Sequence, residues 1–244
     1  MLVKPLGFGG VSPLPLFAER AVELGMEVIA CPAPRTEEAM AQLEETRALY
    51  ADDLQILTVG GIGAGRCDLV LGELGMLELE GVTYHLPRDF DGVRRLIFDA
   101  CCDIHTFFRA YFEQTAELAE RYQVDVIRFG NLLPQWCVDG VIPDADEQWI
   151  WQLMIRAVDA LLKKDVIFEV RVNPDGQGDE PILYPRPEVL MRLGNCRGGV
   201  MLTSGAERAE QLGRSFSEAR AMLRACGIGG TCIRRLDEWE QKSF

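Results

Sequence analysis

An α/β fold built as a closed barrel is the class this sequence predicts, and three observations predict it. Short β-rich runs alternate with longer runs of helical period along the whole chain. Seven such units follow one another with no linker or low-complexity tract between them. The 244 residues, 48% of them apolar, suit one barrel with a large core. A doubly wound open sheet fits the same alternation, and one domain spanning residues 1–244 is expected in either case.

The strands are read from runs rich in β-branched and apolar residues. They are Met26–Cys31, Leu54–Gly60, Gly81–His85, Val124–Leu132, Val166–Asn173, Gly199–Ser204 and Gly230–Arg235. Between them lie amphipathic segments at Leu16–Leu24, Thr36–Tyr50, Ile104–Tyr122, Glu147–Lys163, Pro187–Leu193 and Arg208–Cys226. In Ile104–Tyr122 the residues Phe107, Phe108, Tyr111, Phe112 and Leu118 recur near helical spacing, so that face belongs to the core.

Charge and leader signals narrow the function. A net charge of −13 argues against nucleic-acid partners, which need a positive field to displace counterions from phosphates, and against docking on anionic membranes. The opening Met1-Leu2-Val3-Lys4-Pro5 carries no long apolar stretch, and no run approaches the ~18–20 apolar residues of a membrane span. A cytoplasmic location is expected. The eight cysteines (Cys31, Cys67, Cys101, Cys102, Cys137, Cys196, Cys226 and Cys232) form no C-x-x-C pair. Cys31, Cys101, Cys102 and Cys232 sit in apolar surroundings, so reduced thiols are expected.

The C-terminal third carries the most specific pattern. Tyr184-Pro-Arg-Pro-Glu-Val-Leu190 precedes Val200-Met-Leu-Thr-Ser-Gly-Ala-Glu207, then Leu212-Gly-Arg-Ser-Phe-Ser-Glu-Ala-Arg-Ala-Met-Leu223 and Cys226-Gly-Ile228. This resembles the end of a histidinol phosphatase of the PHP (polymerase and histidinol phosphatase) family. There a Pro-Glu helix precedes a strand ending in G-S-D-A-H, followed by an L/V-G-R-x-F-x-E-A helix. Phe168-Glu-Val-Arg-Val-Asn173 resembles that family's L-E-I-N strand, Thr83-Tyr-His-Leu86 its G-S-V-H strand end, and Phe17–Gly25 its first helix. The resemblance implies a distorted (β/α)7 TIM-like barrel of the PHP type. It also implies up to three divalent metals held by histidines and carboxylates at the strands' C-terminal ends, polarising a phosphoryl group and generating the attacking hydroxide.

Position by position, those ligands are missing. The opening H-x-H falls on Lys4-Pro5-Leu6, the T-D-H on Cys31-Pro32-Ala33-Pro34, and the G-x-E on Gly60-Gly61-Ile62. The histidine of G-H-x-D falls on Phe129. In G-S-D-A-H the aspartate becomes Gly205 and the histidine Glu207. His85 alone survives as a family ligand. With two histidines in the whole chain, no shift of alignment restores a histidine-rich cluster. His85 and Glu207 could together hold one weak ion, but a catalytic zinc usually has three protein ligands, so His85 also reads as a hydrogen-bonded core histidine. His105, two residues after Asp103, faces away from it on a helix and reads as structural or exposed. No cofactor is expected, and no catalytic residue is assigned.

Strand parity predicts what replaces the metals. Phe168, Val170 and Val172 share one face of their strand, and Glu169, Arg171 and Asn173 share the other. The same count groups Thr83 with His85, Phe129 with Asn131, and Thr203 with Gly205. If these sets turn inward, the barrel mouth holds Thr83, His85, Asn131, Glu169, Arg171, Asn173, Thr203 and Glu207. Arg171 would need a partner in the lumen, and Glu169 is the nearest carboxylate. Such a network is either structural or a site for a small phosphorylated or anionic metabolite with Arg171 as the contact. Gly60–Gly65 could cradle phosphate through backbone amides, but it lacks the G-x-G-x-x-G and G-K-[ST] spacings. Ser204 is not in a G-x-S-x-G elbow.

Three functions follow from these features. The leading one is a catalytically degenerate histidinol-phosphatase-like protein that binds or regulates. The second is an active phosphoesterase with a reduced or unusual metal site, a phosphoric monoester hydrolase. The third is a protein-interaction module with a vestigial pocket, its tryptophan-bearing stretch Trp136–Trp151 marking an interface.

Overall fold

The protein is described here from a computed structural model covering residues 10–87, 90–100, 102–129, 144–172, 183–235 and 238–244. The first helix, α1 (Leu14–Glu23), follows Pro13, whose extended backbone suits a helix entry, and has a second proline in its first turn. Leu14, Phe17, Ala18 and Ala21 are fully buried along one stripe of α1, which lies over strand β1 (Val28–Pro32). In β1, Ile29 and Cys31 point toward α1 and helix α2 (Glu37–Leu49), whereas Val28 and Ala30 point to the concave side of the sheet. Burial pushes the Cys31 thiol up to about 12, which keeps it protonated. The Thr36 hydroxyl caps α2 by accepting from the Ala39 amide at 3.2 Å, and Glu37 and Glu38 complement the positive helix end.

Strands β2 (Gln55–Gly61) and β3 (Leu69–Gly72) run parallel to β1. One carboxylate oxygen of Asp68 joins them by accepting from the amide and hydroxyl of Thr58, both at 2.7 Å, and from Arg47 at 2.9 Å. Desolvation opposes the charge on Asp68, but these donors outweigh it and hold its carboxyl below the usual range.

After β3 the chain leaves the sheet as an antiparallel ribbon of β4 (Met76–Leu79) and β5 (Val82–His85). Glu80 and Gly81 make its two-residue turn with φ of 50° and 82°, the left-handed pair that matches strand twist in a hairpin. Leu77 and Leu79 anchor the ribbon in the core beside helix α4 (Ile104–Arg121). Gln114 of α4 bonds both the amide and the carbonyl of Glu78. Helix α3 (Phe90–Asp99) comes between the ribbon and α4 in chain order, in a segment the hydrophobic pattern left unassigned.

The second half supplies β6 (Val126–Ile127), α5 (Asp144–Leu162), β7 (Ile167–Val172), β8 (Leu183–Tyr184), α6 (Pro187–Cys196) and β9 (Val200–Ser204). A 3-10 turn (Ala209–Gln211), α7 (Phe216–Ala225) and the ribbon β10 (Gly230–Arg235)–β11 (Glu238–Ser243) follow. The segment expected as one helix over Arg208–Cys226 is thus broken. Gly213 and Ser215, with φ of 87° and 58°, turn the chain before α7 begins.

The main sheet is a curled half-barrel. Among the described residues β1, β2, β3, β6, β7 and β9 are parallel neighbours in that order, and the short β8 pairs antiparallel with β7. Helices cover its convex side. There α4, α5, α6 and α7 bury one apolar cluster with Phe129, Phe168, Val170 and Leu202.

Two strand expectations need correcting. The third place in the sheet belongs to Leu69–Gly72, not to Gly81–His85. A four-residue Leu-Val-Leu-Gly run is a weak strand signal after Gly65-Arg-Cys-Asp68, while the alternation in Gly81–His85 is that of a hairpin arm. The last expected strand, β10, lies alongside β9 and reaches β1, yet its ladder is antiparallel to β11.

Candidate functional site

At the C-terminal edge of the parallel sheet, the ends of β3, β6, β7 and β9 bring together Glu73, Arg128, Glu169 and Thr203. Gly72, the last residue of β3, has no room for a side chain: a Cβ there would stand 2.8 Å from Ile127 Cδ1 and 3.0 Å from Val124 Cγ1. Close approach of β3 and β6 at that point lets the Arg128 amide bond the Gly72 carbonyl at 2.9 Å. The Arg128 side chain is thereby set between Glu73 and Glu169.

Arg128 engages Glu169 through both arms of its fork. Nη2 donates to Oε1 at 2.9 Å, and Nε donates to Oε2 in a very short contact. Nη1 donates to Glu73 Oε2 at 3.1 Å, so all three guanidinium nitrogens are used. Thr203 Oγ1 donates to Glu169 Oε1 at 2.9 Å. The Glu169 side chain is 1% exposed, Arg128 18% and Glu73 41%, so the cluster grades from core to solvent. Desolvation would loosen the proton on Arg128, but Glu169 first and Glu73 second outweigh it and raise its pKa, keeping a permanent cation in the mouth. Burial, reinforced by the charge of Glu73, likewise pushes the Tyr111 phenol on α4 upward, so it stays neutral.

The predicted residues are distributed unevenly. Glu169 and Thr203 are directly bonded, and half-buried Arg171 follows Glu169 on the same face of β7, in register with Thr203 on β9. Glu169 pairs with Arg128 rather than with Arg171. Thr83 and His85 lie exposed on the ribbon strand β5, opposite Glu78 and Met76, and take no part in the Arg128 cluster. Their expected place on an inner barrel strand is therefore corrected with that of the strand itself. Asn131 and Asn173 lie outside the described residues. Glu207 is exposed, its carbonyl accepting from the amides of Val11 and Ser12 and its amide donating to Gln211 Oε1 at 3.0 Å. His105 packs against Trp149 with ring centroids 4.5 Å apart and tilted by 36°, joining α4 to α5.

Phe129 is a further correction. Parity from the motif turned it inward, but it is 1% exposed on the helix side, with its ring 6.1 Å from Phe112 and 6.3 Å from Phe168. The residue that turns inward just after β6 is Arg128. The register explains it: Val126 and Ile127 pair with Ile167 and Phe168, so Arg128 faces the same way as Glu169.

As for metal donors, among the described residues no three His, Cys, Asp or Glu side chains are grouped so that they could hold an ion. Both oxygens of Glu169 already accept from a guanidinium. The six described cysteines are all free thiols, and only Cys196 among them is exposed.

Fold and site together define a mixed α/β protein with a curled parallel sheet, helices outside it, and a polar cluster at the strands' C-terminal edge. Two solved structures share that architecture. One is assigned as the histidinol phosphatase HisK of Listeria monocytogenes, with a TM-score of 0.62 and 15% identity over 89% of this chain and 97% of that one. The other is the histidinol phosphate phosphatase HISK of Lactococcus lactis subsp. lactis Il1403, complexed with zinc, L-histidinol and phosphate, with a TM-score of 0.63 and 14% identity over 98% and 97% of the two chains. No family model matches the sequence, and no curated protein matches it. At this identity the likeness is one of fold. Among the described residues no helix is long and apolar enough to cross a membrane.

Proposed function

We propose that this chain is a degenerate histidinol-phosphatase-like protein of the PHP fold. In this reading the Arg128 guanidinium stands where such enzymes keep their metal cluster, and the mouth binds a small phosphorylated or anionic metabolite without hydrolysing it. The observation that carries the reading is the bidentate Arg128–Glu169 pair. A buried carboxylate that accepts two bonds from a guanidinium has few lone pairs left for a divalent cation. Such a cation would also sit against a fixed positive charge. The donor set of the described residues therefore does not fit a multi-metal cluster.

Binding is assigned to the remaining cation among the described residues of the mouth, Arg171. Glu169 is committed to Arg128, and Arg171 stands two residues further along the same face, half-buried at the open end of β7. A guanidinium in that setting suits a phosphate or carboxylate better than an exposed one would, because less water competes for it. The L. lactis structure holds L-histidinol and phosphate with zinc, so phosphate is the natural first probe.

The test combines calorimetric titration of purified protein with inorganic phosphate and an assay on L-histidinol phosphate with added zinc or manganese. Saturable phosphate binding is expected, weakened about tenfold in Arg171→Gln, the loss of about one charge-assisted contact. No turnover is expected. Hydrolysis that a chelator abolishes would overturn the proposal.

A further inference from the structure

The parallel ladder has a seam. Among the described residues β9 and β1 are its two outer strands, and the gap between them is spanned by β10, which pairs with neither. Where β10 crosses, its side chains are short: Gly230, Thr231 and Cys232. A cavity of roughly 320 Å3 opens there, within the size range of small-molecule pockets. It runs from the concave face of the sheet, at Ala30, Leu57 and Leu69, past Met201 to Phe216 of α7. The wall is apolar in its depth and charged at its rim.

The rim is unusual for this protein. Against a chain charge of −13, the cavity lining holds three cations, Arg220, Arg234 and Lys242, and one carboxylate, Glu27. Glu27 is already matched by Arg235 at 3.2 Å and Lys242 at 3.4 Å. Arg234 is held over the Trp239 ring at 5.7 Å, and its Nη1 reaches Asp125 at a long 3.4 Å. Its Nε is buried and has no hydrogen-bond partner among the described residues. A buried N–H without an acceptor is costly, and a bound carboxylate would relieve it.

We propose that this seam cavity is a second binding site, distinct from the mouth, for a small apolar carboxylate. The acid group bonds Arg234 within the cationic rim, and the hydrocarbon body lies against Ala30, Leu57, Leu69 and Met201. Charge complementarity selects an anion, and the apolar depth selects a molecule with few other polar groups.

The probe is octanoate, titrated calorimetrically into the full chain, with 1-octanol as the uncharged comparison. Saturable one-to-one binding of octanoate is expected, and 1-octanol should bind about tenfold more weakly or worse, because it leaves the cations unmatched. Arg234→Met should bring octanoate down to the level of the alcohol. Should that variant fail to fold, the wild type still decides the matter. Octanoate must shift the methyl resonance of Met201 in an NMR titration, and the surface pair Arg220→Gln and Lys242→Gln must weaken it. Absence of saturable binding, equal binding of acid and alcohol, or an unmoved Met201 methyl would each overturn the proposal. Phosphate binding at the mouth is measured separately, so failure of one site is distinguishable from failure of the other.

Discussion

The mouth and the seam of the same sheet treat an arginine in opposite ways. At the mouth, Arg128 has a partner for every guanidinium nitrogen, and its main acceptor is itself bonded to Thr203. At the seam, among the described residues, Arg234 has one long contact, a ring beneath it and a buried Nε that meets no hydrogen-bond acceptor. Packing follows the same division: a Cβ on Gly72 beside the mouth would clash, whereas an open cavity lies against Ala30 at the seam. The difference teaches that a saturated ion pair is a structural element which closes a site, and an unsaturated one leaves it open to a ligand.

The comparison breaks most sharply at Glu169. Glu169→Leu strips the buried cation of its bidentate partner and leaves only half-exposed Glu73 for it. Loss of one member of a buried pair costs about 3–5 kcal/mol, and the low end is expected here because Glu73 persists. Adding Arg128→Met should restore most of the loss, since the mouth would then be apolar and uncharged. Urea denaturation of the wild type and the two variants measures this. If the single variant loses less than about 1 kcal/mol, the scale of an exposed salt bridge, the mouth is not the closed structural unit described.

A smaller effect is expected at Thr203. The hydroxyl is 1% exposed and donates to the charged Oε1 of Glu169, so Thr203→Val removes a bond to an ionised acceptor while keeping the shape. A loss of about 1.5 kcal/mol is expected in the same denaturation experiment. In the Arg128→Met, Glu169→Leu background the same substitution should cost almost nothing, because the acceptor is gone. Equal losses in both backgrounds would show that Thr203 acts outside the network.

Much of this architecture was legible in the sequence, and the failures have physical causes. The face assignment in β7 could be read because Phe168, Val170 and Val172 alternate cleanly with Glu169 and Arg171. The strand β6 could not be read the same way, since only two residues ladder there and Arg128-Phe129 follows with either parity plausible by motif. The motif turns Phe129 inward because the family's histidine falls at that position. The aromatic partners Phe112 and Phe168 decide otherwise, and they are distant in sequence. His85 misled for a related reason: strand alternation does not distinguish a sheet strand from a ribbon arm, and the Glu80-Gly81 turn that does is a backbone feature. The seam was invisible altogether. Whether β10 pairs with β9 or folds back on β11 depends on a contact that no local pattern encodes.

The seam end of the comparison gives the smallest effect and a change of sign. Ala30 is 3% exposed, points to the concave side of β1 and lines the cavity. Ala30→Val adds two methyl groups on a strand that favours β-branching, and the cavity gives them room. Each buried carbon is worth about 0.8 kcal/mol when it fits, less the cost of any local adjustment, so a gain of up to about 1 kcal/mol is expected. In a close-packed interior the same enlargement would be destabilising by about 1–3 kcal/mol. Denaturation therefore reads the packing of the seam directly, with no ligand needed. A measured loss of more than about 1 kcal/mol would mean that the seam is as tightly filled as the mouth, and the contrast between the two ends would then rest on charge alone.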